Sequence, residues 1–250
     1  MTDQFKQQFT EGVDSFQMSF RNALELHARV RNLPLQDVSP SARLMFARIV
    51  FMSASILRLC PQIDNERDIW DFTSIAILAR SLFEAVMFFR YFCEPSDAEE
   101  WVARMMLMQL HDRCERVRLF MEMGRLEDVS GFSQEADELR RLLRNNGYFQ
   151  KLEERTQASL LNGYNPAFTT LREMGEKYAP AEGTWATYQL LSSYAHSHPL
   201  GFMRNSEERR DGLPNETDKI YIPVALSWLA RLLADATSAF RQIPCGVPQF

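Results

Sequence analysis

The sequence predicts an all-α protein, a single-domain bundle of long helices with antiparallel neighbours that takes in residues 1–250. Three observations carry that expectation. Only 10 Gly and 11 Pro occur in 250 residues, too few turn formers for a many-stranded sheet. Apolar residues recur at steps of three and four through most long segments, and no segment alternates as a half-buried strand does. Helix-start residues and Pro punctuate these segments where one helix gives way to the next. With 46% hydrophobic and 24% charged residues, the chain has the balance of a globular protein and the length to bury a sizeable core.

The elements follow in order. Phe5, Phe9, Val13, Phe16, Phe20, Leu24 and His27 form one stripe, which predicts an amphipathic helix over 4–31 ending at Asn32-Leu33-Pro34. Ser39-Pro40 starts a second helix that runs to Leu59 before Cys60-Pro61. A third covers 66–92 and stops at Cys93-Glu94-Pro95. Ser96-Asp97-Ala98-Glu99 reads as a capping box for a fourth, through Met123-Gly124, with Trp101, Met105, Met108, Cys114 and Val117 on its apolar face. Ser133 is expected to cap a fifth helix carrying Leu139, Leu142 and Leu143, ended by Asn145-Asn146-Gly147. Short helices are expected at 148–160, at 167–178 after Asn165-Pro166, and at 184–195. The stretch 196–219 reads as a long, mobile loop, a length that in compact domains goes with function or disorder. A final helix over 221–240 turns Leu226, Leu229, Leu232 and Leu233 inward.

Charge and cysteine content narrow the function classes. The net charge of −5 and pI of about 5.5 argue against a constitutive, charge-driven nucleic-acid binder. Of 28 cationic residues only Lys6, Lys151, Lys177 and Lys219 are Lys. Arg favours planar pairing with carboxylate or phosphate, although genomic base composition produces the same bias. Cys60, Cys93, Cys114 and Cys245 are scattered, form no Cys-x-x-Cys pair, and point to a reducing cytoplasm. The N-terminal residues carry no signal-peptide apolar block. Residues 73–92 are long and apolar enough to raise a membrane span, but Arg80, Glu84 and Arg90 make a central core helix the expected reading, with no second span after it.

The chemistry-bearing residues concentrate in two blocks. Arg80 and Glu84 lie four apart inside the apolar helix and so share a face. They read either as an anion-binding Arg oriented by Glu, or as a structural pair that fixes helix register. Ser192 precedes His196 by four at the predicted end of a helix, where the dipole favours a protonated imidazole able to move protons. The expectation is that Arg80 and Glu84 meet Ser192 and His196 in one polar site. His198 and Arg204 follow in the long loop as candidate ligand-binding residues. No metal and no cofactor is expected: His196-x-His198 lacks a third ligand, and His111, Cys114 and Glu115 share a helix face at a common spacing. Arg104 and His111 are seven apart, within the range that metal-independent ribonucleases of the HEPN class use, though Met105 follows this Arg where they carry a polar residue.

Ala79-Arg80-Ser81-Leu82-Phe83-Glu84-Ala85 and Tyr188-Gln189-Leu190-Leu191-Ser192-Ser193-Tyr194-Ala195-His196, in this order, resemble a widespread bacterial family of all-helical proteins of unknown function, marked by Arg-Ser-x-x-Glu and a later Ser-x-x-x-His. The resemblance spans residues 69–198, and Ser197 stands where members often carry Gly. It implies a build similar to HEPN-like bundles and, through that likeness, a link to RNA or to stress and phage defence. The leading expectation is a cytoplasmic protein that binds or cleaves RNA or a nucleotide, with His196 as general acid/base, Arg80 on the phosphate and Glu84 orienting it. The alternative is a non-enzymatic interaction protein, a homo-oligomer or the partner of another protein in a defence or toxin–antitoxin system, in which the same residues are structural.

Overall fold

The computed structural model describes residues 3–31, 40–63, 65, 68–196, 199 and 216–242. Among them are ten helices and no strand: α1 (Asp3–Arg31), α2 (Pro40–Leu59), α3 (Phe72–Cys93), α4 (Ala98–Glu122), α5 (Leu126–Arg144), α6 (Gly147–Gln150), α7 (Glu154–Leu161), α8 (Leu171–Tyr178), α9 (Thr184–Ala195) and α10 (Glu216–Arg241). The chain forms two compact units, one of Met1–Cys93 with Leu171–Phe250 and the other of Glu94–Thr170.

In the first unit α3 packs against α2, α8, α9 and α10. Its ring contacts set the directions of its neighbours. Phe72 meets Tyr194 while Arg80 and Glu84 meet Tyr188, so α9 runs antiparallel to α3. Phe72, Phe83 and Phe89 meet Tyr221, Trp228 and Phe240 in turn, so α10 runs parallel to it, an arrangement open to helices distant in sequence. Phe46 of α2 stacks on Phe240 at 4.4 Å and also touches Phe89 at 5.7 Å. Burying such a ring contributes about 1.5–3 kcal/mol.

The start of α3 corrects the predicted helix over 66–92. Asp71 accepts the Ser74 N–H (3.3 Å) and hydroxyl (2.6 Å), an N-terminal cap that sets the first turn at Phe72. The Phe72 N–H, one of the donors a helix start leaves unbonded, goes to Asp218 Oδ1 of α10 at 3.0 Å. Asp218 is fully buried, so this bond ties α10 to α3 across 146 residues. Asp218→Ala is expected to lower stability by about 1–3 kcal/mol, a loss that Asp218→Asn largely avoids because it keeps an acceptor. Urea melts of the two variants compare them directly.

The stripe on α1 also differs from the pattern read in sequence. Phe9, Gly12, Phe16, Ala23 and Val30 are buried, whereas Leu24 is 43% exposed. Small residues matter here because α10 comes close: a Cβ on Gly12 would sit 3.0 Å from the Pro223 carbonyl oxygen and 3.2 Å from its Cα. A hydrophobicity stripe weights Leu over Gly and therefore misplaces this face.

The second unit is built on the α4–α5 hairpin. Phe120 stacks on Phe132 and Cys114 meets Arg140, which makes the two helices antiparallel. The cap of α4 is Asp97, one residue beyond the predicted box: its side chain accepts the Glu100 N–H, and Glu100 reaches back to the Ser96 N–H at 2.8 Å. α5 begins at Leu126, leaving Ser133 in its interior, and the predicted helix over 148–160 is two short ones. Leu107, Leu110, Leu143, Phe149 and Leu160 close the core of this unit.

Among the described residues two helices are long and apolar enough to cross a membrane by length and composition: α3, with mean hydropathy 1.6, and residues 218–241 of α10, at 1.2. The second corrects the expectation that no further candidate follows α3. Half of the α3 window and 61% of the α10 window are buried against protein, as in core helices.

Candidate functional site

Arg80 and Glu84 project from the less buried face of α3, which also carries Ile77, Ser81 and Phe88. Arg80 Nη2 lies 3.0 Å from Glu84 Oε1, with the side chains 24% and 32% exposed. The pair is therefore half-buried, shallower than the apolar run around it suggests, because the fully enclosed side of α3 is the one holding Ile75, Ala79, Leu82 and Phe83. At this exposure the pair contributes on the order of 0–1 kcal/mol, well short of the ~3–5 kcal/mol at stake in a buried one.

Tyr188 of α9 completes the pair. Its hydroxyl donates to Glu84 Oε1 at 2.8 Å and accepts from Arg80 Nε at 3.4 Å, while its ring lies 5.8 Å from the guanidinium carbon. Phe83 backs that ring at 5.1 Å and fixes its plane. Burial works against the charge on Arg80, but the Tyr188 bond and Glu84 outweigh it and hold the guanidinium above its ordinary value. The side chain is a permanent cation with one edge engaged by Glu84 and Tyr188.

The other expected members lie further along α9. Ser192 follows Tyr188 by one turn, and its enclosed Oγ has no hydrogen-bond partner among the described residues. His196 is the C-cap of α9, exposed, with its N–H on the Ser192 carbonyl at 3.1 Å. Eight residues of helix separate it from Tyr188, about 12 Å along the axis. Tyr188, Ser192 and His196 thus rise along one face, and Tyr188 is the member that meets the ion pair. The four-residue spacing that links Ser192 to His196 also reaches back to Tyr188, so the signal was present in the sequence. His198 and Arg204 lie outside the described residues.

Trp185 and Arg172 extend the cluster. The Trp185 and Tyr188 rings stack at 4.9 Å and 26°, and the Arg172 guanidinium stands 5.7 Å over Trp185 while pairing with Glu176. Neither residue stood out in the sequence, where Trp185 reads as a packing residue. A cavity of about 910 Å³ lies elsewhere in this unit, between α1 and α10, lined by residues that include Phe5, Gln8, Glu11, Pro223 and Arg231. The candidate site is a half-buried shelf on α3 and α9.

In the second unit the side chains with metal or ribonuclease spacing have separate duties. Arg104 is 4% exposed and engages Glu100 through Nε and Nη2. His111 Nδ1 bonds the Gly163 carbonyl at 3.0 Å, Cys114 accepts from Arg140 Nη2 at 3.3 Å, and Glu115 pairs with Arg118. Among the described residues no three His, Cys, Asp or Glu side chains gather as a metal site would require. Cys60 is equally uninviting as a nucleophile, since burial pushes its thiol up to about 12.

A family model described as "Family of unknown function (DUF5677)" matches residues 42–213, a span that holds both the Arg80–Glu84 and the Ser192–His196 blocks. No curated protein and no solved structure matches the chain.

Proposed function

The chain belongs to DUF5677, a family of unknown function, and from the geometry of its α3–α9 shelf we propose that it is an HEPN-like helical protein that binds RNA or a nucleotide through Arg80. One observation carries this reading: a guanidinium aligned by Glu84 and Tyr188, yet still a quarter exposed, beside an aromatic shelf. Arg presents fork-shaped donors that match phosphate oxygens, and Glu84 with Tyr188 pre-sets its plane, so little side-chain entropy is lost on binding. A chain of net charge −5 does not hold nucleic acid by bulk attraction. The ligand is accordingly a short single strand or a mononucleotide held at few phosphates, with a shallow salt dependence. The exposed His196 lies further along α9 beyond the shelf, where a strand would pass. His196 acts there as general acid/base on a phosphate beyond the one at Arg80, if the strand is cut. The HEPN-like build, a place in stress or phage defence and a cytoplasmic setting rest on helical likeness and composition.

A second reading, an interaction protein that pairs with another copy or another protein, is favoured by Leu44 and Phe51. These stand 73% and 63% exposed on the outer face of α2. Fluorescence anisotropy with a labelled adenylate hexamer separates the two. Arg80→Ala is expected to weaken binding about tenfold or more, since a charge-assisted bond to phosphate is worth about 1.5–3 kcal/mol, with little change in the unfolding midpoint. Tyr188→Phe, which loosens the guanidinium without removing it, should weaken binding less. An Arg80→Ala protein that binds as tightly as wild type would refute the nucleotide reading and leave the interaction reading in place.

A further inference from the structure

We infer that Trp185 is the platform on which the ligand's nucleobase stacks and that Arg172 closes over that base. The inference rests on the reading of Arg80 as a phosphate ligand, and it names the part of the ligand which that reading leaves unassigned. Four groups lie in one continuous row. The Arg80 guanidinium carbon is 5.8 Å from the Tyr188 ring centroid, the Tyr188 and Trp185 rings stack at 4.9 Å, and the Arg172 guanidinium carbon stands 5.7 Å from the Trp185 ring. A phosphate-binding cation therefore sits one ring away from a half-buried indole.

Each member has a different degree of freedom. Phe83 and the α3 ion pair fix Tyr188, and Tyr188 in turn holds the plane of Trp185. Arg172 is 65% exposed, and among the described residues an equally exposed Glu176 and the Trp185 face hold it, so its side chain swings out to admit a flat group and returns onto it. Bases in single strands are held between aromatic rings and guanidinium planes in this way, and each stacked base strengthens binding by roughly 5- to 150-fold. Stacking tolerates any base, because every base has a π-face. The site is thus selective for a base–sugar–phosphate unit and indifferent to sequence. The shared chemistry is an unpaired nucleotide, supplied either as a free mononucleotide or as one residue of an RNA strand.

The test measures the affinity of the full-length protein for AMP, ribose 5-phosphate and an adenylate hexamer by calorimetry. Wild type is expected to bind AMP roughly 5- to 150-fold more tightly than ribose 5-phosphate. Trp185→Leu should bring AMP down to the level of ribose 5-phosphate and leave ribose 5-phosphate itself unchanged. Trp185→Phe, which keeps a ring, should restore most of the difference and guards against simple misfolding. Arg172→Gln should accelerate AMP release. The hexamer binding more tightly than AMP identifies a strand as the source, and equal affinity identifies the free nucleotide; either supports the platform. Unchanged AMP affinity in Trp185→Leu, with Arg80→Ala still weakening it, overturns the platform alone. Ribose 5-phosphate binding as well as AMP in wild type does the same, whereas a wild-type protein that binds none of the three ligands overturns the phosphate reading with it.

Discussion

Replacing Arg104 with Met is expected to cost about 3–5 kcal/mol of stability, because it strands a carboxylate inside the second unit. Glu100 and Arg104 lie one turn apart on α4, with side chains 8% and 4% exposed. Glu100 Oε1 accepts from Arg104 Nε at 3.0 Å and also from Nη2, while Oε2 takes the Ser96 N–H and hydroxyl. Arg104 Nη1 reaches the Glu94 carbonyl at 3.4 Å. Every strong group in the knot is satisfied, which makes the knot tolerable whole and costly in part. Burial pushes the Glu100 carboxyl up, but the Ser96 bonds and Arg104 outweigh it and hold it below the usual carboxylate value. A carboxylate lowered on folding adds stability above its unfolded value of about 4.3, and that stability is lost as pH falls through the lowered folded value. Without Arg104 only the Ser96 bonds act against burial, so Glu100 rises from its wild-type value and the variant loses less stability than wild type as pH falls. The gap between wild type and Arg104→Met should therefore narrow from pH 7 to pH 4 in urea melts. The double replacement Glu100→Gln with Arg104→Met should cost less than Arg104→Met alone. A gap below about 1 kcal/mol at pH 7, or one that widens in acid, would show that the pair is solvated.

What could be read from the sequence depended on whether the decisive contact was local. Pro40 opens α2 where the sequence places it, since first-turn signals act within a few residues. Leu126 opens α5 with Arg125 as N-cap and no side-chain bond, so nothing marks that start until α4 supplies a face to pack on. The i,i+4 spacing of Arg80 and Glu84 is likewise local, and the pair forms. Its depth is not local. Glu100 and Arg104 have the same spacing in a more polar stretch, Ser96 to Arg104, yet they are the enclosed pair because α4 turns them toward Ser96 and Glu94. Flanking hydrophobicity ranks the two pairs in the wrong order. The same limit governs α9, where a four-residue rhythm links Tyr188, Ser192 and His196. Only the crossing point with α3 selects Tyr188 as the residue that meets Arg80.

Gly163→Ala is the companion to Arg104→Met in size, with an expected loss of about 2–5 kcal/mol. Two separate costs meet at this position. Its φ of +76° lies in the left-handed region, where a side chain costs about 1–2 kcal/mol. A Cβ there would also overlap Cys114 Sγ and stand 2.7 Å from Cys114 Cβ, an overpacking strain of about 1–3 kcal/mol. Backbone cannot shift cheaply to relieve it, because the Gly163 carbonyl accepts from Arg118 at 3.3 Å and bonds His111 Nδ1 at 3.0 Å. Cys114 has little room to withdraw, being 7% exposed and held by Arg140. The two costs separate in a double-mutant cycle with Cys114→Ala, which removes Sγ and keeps Cβ. The steric share due to sulfur should be recovered in the double variant, and the backbone share should persist. A Gly163→Ala protein within about 0.5 kcal/mol of wild type would mean that the turn after α7 adopts another conformation. The reach of His111 and Arg118 to this carbonyl would then fail with it.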